Sequence, residues 1–277
     1  LRNTFSSSHL EVLGYPKVAE LARGAGLIDE FRSIEARALA GFFARNGKLD
    51  PELSEYFGSF ALIFSYLYDP DGIFSGNVGL VSKAQFIQGP HRPNEKEELH
   101  AASVFLKPLE KMAIYDVPPM AELRMPVANP HGTPKKVTAL HPGSGSESKN
   151  WPLENWVALI RELQGRGEEV LVIGGEADTA RIGQIQKAFP GLNVIFNKPL
   201  AELAGVLAHC QVFIGHDSGI SHIAAALGLR TLILWGPSND RIWRPLNPNA
   251  TVLKAADGNL ATLKLQHVIE GLQTILR

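Results

Sequence analysis

Residues 211–236, QVFIGHDSGISHIAAALGLRTLILWG, decide the fold. They read as a buried strand, a tight turn, a short helix and a second buried strand. The turn carries Asp217, Ser218 and Gly219, and His222 follows in the first helical turn. This order sets backbone N–H groups and the positive end of a helix dipole at the C-terminal edge of a parallel sheet. An anion such as phosphate binds well there, and open α/β sheets take their ligands at that edge. Ile220, Ile223, Ala224 and Leu227 form one stripe toward the sheet, and Gly228 closes the helix as a left-handed cap. His222 falls opposite that stripe, beside Ala225 and Ala226, within reach of a ligand lying over the turn. A carboxylate repels phosphate, so Asp217 either caps the helix or accepts hydrogen bonds from sugar hydroxyls. An ordinary strand-to-helix turn with a capping Asp and a surface His accounts for this segment equally well.

The same alternation extends on both sides. VTALHPG (137–143) is a strand, and PLENWVALIRELQGRG (152–167) a helix with Pro152 in its first position and Trp156, Leu159, Ile160 and Leu163 on one face. EEVLVIGG is a strand, ADTARIGQIQKAF a helix, NVIF a strand and LAELAGVLAHC a helix. Strands and helices at this spacing are βαβ units, which build a parallel, doubly wound sheet. NLATLKLQHVIEGLQTILR (259–277) is a closing helix. Upstream, HLEVLGY, FALIFSYL and AQFIQGP read as strands, PKVAELARGAG as a helix, and EKEELHAASVFLKPL (95–109) as one amphipathic helix with Leu99, Ala102, Val104 and Phe105 inward. Residues 116–135, dense in Pro and without period, form a stiff connector. The expected organisation is therefore an N-terminal α/β domain (1–115), the connector (116–135), a second α/β domain (136–256) and a final helix (257–277) that packs back across the junction. The chain opens Leu-Arg-Asn without Met, and its first residues resemble the end of a helix. A first strand and most of a first helix, on the order of 20–30 residues, are expected upstream.

Bulk properties exclude several classes. At 277 residues the chain holds two domains. A net charge of −1 lacks the basic footprint of a nucleic-acid binder. No apolar run is long enough to span a bilayer, and no signal peptide is visible. The single Cys, Cys210, excludes an internal disulfide and sits at the head of a buried strand, where it packs as core.

Four loops leave the C-terminal ends of strands in the second half and should converge on one edge. His141-Pro142-Gly143-Ser144-Gly145-Ser146-Glu147-Ser148-Lys149 offers backbone N–H groups, hydroxyls and a cation to phosphate, or is only a flexible turn. Glu176 and Asp178 follow the Gly174-Gly175 strand end, where an acid can accept from ribose hydroxyls; helix capping by Asp178 explains it as well. Asn197-Lys198-Pro199-Leu200 is a plain loop or the wall of a base pocket. The Asp217–His222 turn is the fourth, with Gly236-Pro237-Ser238 after the next strand. His141, His209, His216 and His222 lack metal-ligand spacing, and no Cys pair supports zinc. GxSxG is absent, and His216-Asp217-Ser218 is contiguous, unlike the members of a catalytic triad.

Together, HPGSGSESKNWP (141–152), VIGGEAD (172–178), LAELAGVLAHCQVFIGHDSGISHIAAALG (200–228) and LWGPS with Trp243 and Pro245 resemble family nine of the glycosyltransferases, the bacterial heptosyltransferases. The resemblance is close over 136–245 and loose over 1–115. It implies a GT-B-type fold of two Rossmann-like domains facing across a cleft. It further implies an inverting, metal-independent enzyme without cofactor that moves a sugar, typically heptose from ADP-heptose, to a lipopolysaccharide-core or other cell-surface glycan. By that likeness Ser144, Gly145 and Lys149 contact donor phosphates or ribose, with Glu176 or Asp178 on the ribose. Ser218, Gly219 and His222 hold the diphosphate, and Asp217 the sugar hydroxyls. Lys198 borders the donor, and Lys149 and His222 stabilise the leaving group. Family members take their general base from a Gly-Asp turn after a first strand, which this sequence does not show. The implied location is cytoplasmic, with peripheral contact at the inner membrane face for a lipid-linked acceptor. A non-catalytic nucleotide-sugar binder and a nucleotide-sugar epimerase on the same scaffold are the alternatives.

Overall fold

The computed structural model describes residues 1–126 and 137–277. Residues 127–135 of the Pro-rich connector lie outside the described residues. The chain divides into two compact units that are not simple halves. His9–Ala19 and Glu30–Pro119 form one; Leu1–Ser8, Glu20–Asp29 and Met120–Arg277 form the other. The first thirty residues therefore do not all join the N-terminal unit, as a single cut of the chain would have it.

The N-terminal unit holds two two-stranded parallel sheets. In one, β1 (Glu11–Gly14), followed by α1 (Pro16–Gly24), pairs with β2 (Glu30–Ser33). After α2 (Pro51–Gly58), β3 (Leu62–Ser65), α3 (Ile73–Val81) and β4 (Gln85–Gln88) form the second. Both lean on one aromatic core of Phe42, Phe57, Phe74 and Val78, against which Leu13, Ile63 and Phe86 pack. Local chemistry starts the helices. Asp50 accepts from the Leu53 N–H at 3.1 Å with Pro51 in the first turn, and the Asp69 carboxylate accepts from Phe74 N–H, Ser75 N–H and the Ser75 hydroxyl.

The expected helix over 95–109 is broken into three pieces. Glu95–Glu97 is a 3-10 turn ended by Glu98 in the left-handed region (φ 50°), α4 covers only Ala101–Leu106, and Lys107–Met112 is again 3-10. Pro108 lacks the N–H that would continue the ladder, and Leu99 is half exposed rather than inward.

The second unit is the doubly wound parallel sheet. Its elements in order are β5 (Val137–Leu140), α5 (Leu153–Gly165), β6 (Glu169–Gly174), α6 (Thr179–Ala188), β7 (Asn193–Phe196), α7 (Leu200–Leu207), β8 (Val212–His216), α8 (Gly219–Ala226), β9 (Arg230–Trp235), α9 (Asp240–Trp243), β10 (Ala250–Lys254) and α10 (Leu265–Leu276). The strand order is β10-β9-β8-β5-β6-β7, all parallel. The chain builds outward from β5 in one direction, then returns to pair β8 on its other side (Thr138↔Val212, Ala139↔Phe213, Leu140↔Ile214). The junction of β5 and β8 is thus the topological switch point, where the flanking loops part and leave a crevice.

Each face of this sheet has its own core. One comprises Trp151, Trp156, Leu159, Ile160, Leu163 and, from α10, Val268, Ile269 and Leu272; the other comprises Leu203, Leu207, Phe213, Ile223, Ala224 and Leu21 of α1. The apolar stripe of α5 is buried as its spacing predicts, although Pro152 stands at the cap and not inside the first turn. In α8, Ile223 and Ala224 are buried, Ile220 and Leu227 pack beside them, and Gly228 closes the helix at φ 84°. Ala225 and Ala226 are buried as well, so His222, exposed in the first turn, does not share a face with them. The last helix begins at Leu265 after a 3-10 turn and packs on β9 and β10 of this same sheet, with Gly271 allowing close approach to Leu232 and Leu253. Residues 120–126 join the unit through Leu123 N–H to Ala226 O (2.9 Å) and the Asn247 amide to Ala121 O (2.8 Å). Cys210 packs partly buried against the second core, which pushes its thiol up to about 11. No helix among the described residues is long and apolar enough to cross a membrane.

Candidate functional site

The β5–β8 switch point collects the loops singled out in the sequence. A cavity of about 250 Å³ opens at the strand ends of β5 to β8. Its floor is apolar: Ile173, Ile195, Leu200, Leu203 and Ile220. Its rim is polar: His141, Ser144, Glu176, Asp178, Lys198 and Ser218. Six predicted residues, Ser144, Gly145, Glu176, Asp178, Lys198 and Ser218, therefore border one space. An apolar lining with a few convergent polar groups is the usual make-up of a small-molecule site. Beside it lies a more open hollow of about 650 Å³, bounded by the 144–154 loop and the start of α6.

The remaining predicted residues form a second cluster. The Lys149 ammonium donates to Asp217 Oδ2 at 2.6 Å across 68 residues of sequence, and the Ser238 hydroxyl donates to the same oxygen at 2.5 Å. Asp217 is thus fixed by two side chains and makes no cap bond. The N-cap of α8 is Ser218, whose side chain also makes none, so the Gly219 and Ile220 N–H groups have no cap side chain, while the Ser221 N–H donates to Ser218 O (3.1 Å). Gly219 and His222 stand in that first turn, both exposed. Lys198 pairs with Glu202 one helical turn on (2.8 Å).

Asp178 is buried rather than turned to solvent. Its Oδ2 accepts from Gly175 N–H at 2.8 Å and lies 3.5 Å from His141 Nε2. Burial alone would raise its pKa, but the hydrogen bonds from His141 and Gly175 outweigh this and hold it below the ordinary carboxylate value. Room for it exists because residue 143 is glycine: a Cβ there would lie 1.7 Å from Asp178 Oδ1.

Two residues to which the sequence reading gave no role shape the loop. His216, fully buried at the end of β8, accepts the Trp151 N–H at Nε2 (2.8 Å) and, through Nδ1, donates to Gly143 O (3.1 Å). Burial pushes its pKa down to about 3, so it is a neutral strut with both nitrogens used. Arg181 donates to Trp151 O (3.3 Å) and to Glu147 (2.5 Å), holding the loop from the α6 side; hydrogen bonds from Asn150 and Arg181 keep Glu147 below its ordinary pKa. The only sequence signal for His216 was its place in an otherwise apolar strand.

One group of metal-ligand type occurs among the described residues. His9, Glu11 and Glu30 lie in the N-terminal unit, with Arg32 Nε already 3.6 Å from Glu11 Oε1.

Comparison with known proteins follows the same residues. The model of glycosyltransferase family 9 (heptosyltransferase) matches residues 107–273, more than half of the chain. Lipopolysaccharide heptosyltransferase 3 of Escherichia coli is 30% identical over 155 residues, 54% of this chain and 46% of that protein. The chain matches less than half the length of such curated relatives. A glycosyl transferase family 9 structure from Veillonella parvula superposes with a TM-score of 0.76 at 18% identity, covering 99% of this chain and 90% of that one. The E. coli heptosyltransferase WaaC with ADP gives 0.74 at 16%, covering 99% and 92%. At such identities the structural likeness speaks for the fold, which is α/β of GT-B type. The family match speaks for descent, and on it the chain belongs to glycosyltransferase family 9.

Proposed function

We propose that this chain is a heptosyltransferase-type glycosyltransferase that binds a nucleotide-diphosphate sugar, ADP-heptose in the first instance. It transfers the sugar with inversion to a lipopolysaccharide-core or related cell-surface glycan. The observation that carries this reading is the convergence at the β5–β8 switch point. An apolar cavity fit for a base lies beside the N-terminus of α8 and the Lys149–Asp217 pair. The aromatic base lies on Ile173, Ile195, Leu203 and Ile220, and Glu176 and Lys198 face the ribose. Ser144 and Gly145 with Ser218 and Gly219 supply donors to the diphosphate. Lys149 and His222 face the leaving oxygen, and Asp217 accepts from the sugar hydroxyls.

In the transfer step an acceptor hydroxyl oxygen bonds to the anomeric carbon as its bond to the diphosphate breaks. The hydroxyl proton passes to a base, and ADP departs. Negative charge grows on the diphosphate, and the α8 dipole with two side-chain cations stabilises it in the absence of a metal. We assign no general base in this unit. A lipid-linked acceptor fits a cytoplasmic enzyme that meets the inner membrane face peripherally.

Calorimetric titration with ADP, UDP and GDP tests the reading. ADP-selective binding that weakens in Lys149→Ala and His222→Ala is expected. Preference for UDP or GDP moves the donor to another nucleotide, and no binding by the folded chain refutes the reading. Binding without sugar transfer by the chain supplied with ADP-heptose and acceptor leaves a nucleotide-sugar binder.

A further inference from the structure

His141 is among the few buried polar side chains of the described residues. It follows the last residue of β5, with its ring between the N-cap residues of α6 and α8: Nε2 lies 3.5 Å from Asp178 Oδ2, and Nδ1 lies 3.5 Å from Ser218 Oγ. The Asp178 carboxylate is itself fixed by Gly175 N–H, beneath a residue that must be glycine. The array Asp178–His141–Ser218 therefore links a buried carboxylate, through an imidazole, to the hydroxyl at the N-cap of α8. Its members stand at 141, 178 and 218, which is why no local motif announces it.

We propose that His141 is a positioning residue that sets the direction of the Ser218 hydroxyl, so that binding of a nucleoside diphosphate is accompanied by proton uptake at His141. This deepens the donor-site reading above and rests on it. With a neutral ring, Nε2–H points to Asp178, and the Ser218 proton goes to His141 Nδ1 or to Ser221 Oγ, also 3.5 Å away. The hydroxyl then shows only lone pairs to the cavity, which an anion avoids. With a protonated ring, Nδ1–H donates to Ser218 Oγ, and the serine proton turns to a phosphoryl oxygen. The ligand's negative charge and the Asp178 carboxylate both favour that form. Other charged or titratable groups lie around the ring: Arg181 from α6, the neutral His216 from β8, and Glu176 and Lys198 on the same cavity.

ADP is titrated calorimetrically between pH 6 and 8 in buffers of different ionisation enthalpy, which gives the protons taken up per ADP bound. The terminal phosphate of ADP titrates in this range too, so wild type is compared with His141→Gln, Ser218→Ala and His222→Gln. The expected result is an uptake of up to one proton in wild type beyond that in His141→Gln. Ser218→Ala should lose most of this excess and His222→Gln should keep it, with about tenfold weaker ADP binding in His141→Gln. If His141→Gln does not fold, Ser218→Ala alone decides, because it leaves the His141–Asp178 pair intact. Equal uptake in wild type, His141→Gln and Ser218→Ala, or an excess lost only in His222→Gln, overturns the proposal. Failure of wild type to bind ADP overturns the donor-site reading, and this inference with it.

Discussion

Replacing Lys149 by Ala probes the site most sharply, because the pair it breaks is half of the donor cluster. Lys149 Nζ stands 2.6 Å from Asp217 Oδ2, with the lysine side chain 32% exposed and the aspartate 11%. A charge-assisted hydrogen bond contributes about 1.5–3 kcal/mol, and the partly exposed lysine places this one near the low end. Global stability should therefore fall by about 1.5 kcal/mol, since Ser238 still donates to Asp217. ADP affinity should fall further than loss of one cation predicts, because the substitution also unmasks the Asp217 carboxylate beside the diphosphate. Two unit charges about 6 Å apart at an effective dielectric constant of about 20 interact by about 3 kcal/mol, and exposure and salt cut this to about half. The combined loss is about 30- to 100-fold in Kd for ADP. Adding Asp217→Asn to Lys149→Ala removes the repulsion and should recover about tenfold. Calorimetry with ADP, which lacks the sugar that Asp217 is proposed to hold, measures both steps, and urea denaturation measures stability. Unchanged ADP affinity in Lys149→Ala, or no recovery in the double variant, would refute the reasoning that this pair faces the phosphates.

Gly143→Ala should lower stability by about 2 kcal/mol or more, because its methyl would displace the buried Asp178 carboxylate; urea denaturation checks this. His216 has its folded pKa pushed below the unfolded value, so its contribution is present above about pH 6.5 and is lost as pH falls toward about 3. Between pH 6.5 and 5, above the range where the lowered carboxylates titrate, wild type should lose about 2 kcal/mol that His216→Gln does not lose, as read by denaturation at each pH. Leu272→Ala, at a fully buried position where α10 meets the sheet, should cost about 2–5 kcal/mol in the same assay, and a loss under about 1 kcal/mol would show that the helix contributes little to this unit.

Much of the second unit was legible in the sequence, and the first much less so. Five strands from VTALHPG to LILW, the helices between them, the buried stripe of α5 and the left-handed Gly228 each follow from a local period or a local backbone demand, and the structure holds them. The sixth strand, Ala250–Lys254, escaped notice because it lies at the sheet edge and is only partly buried, so its sequence carries no strong apolar run. In the N-terminal unit β2 alternates exposed and half-buried residues, and the 95–109 period suggested a helix that Pro108 and the left-handed Glu98 break.

The loops at the strand ends were visible as candidates, but their partners were not. Nothing local joins Lys149 to Asp217, His216 to Trp151, or Asp178 to His141. The first two arise because the chain crosses from β7 back to β8 beside β5, and the third because β6 pairs with β5 on its other side, so residues some 40 to 70 positions apart meet at one switch point. The sequence by itself determined which faces are buried and where turns fall, since period and backbone preference act within a few residues. Only the tertiary structure decided which side chains share a charge, a proton or a cavity, because strand order is set by the packing of whole βαβ units and leaves no mark on the local period.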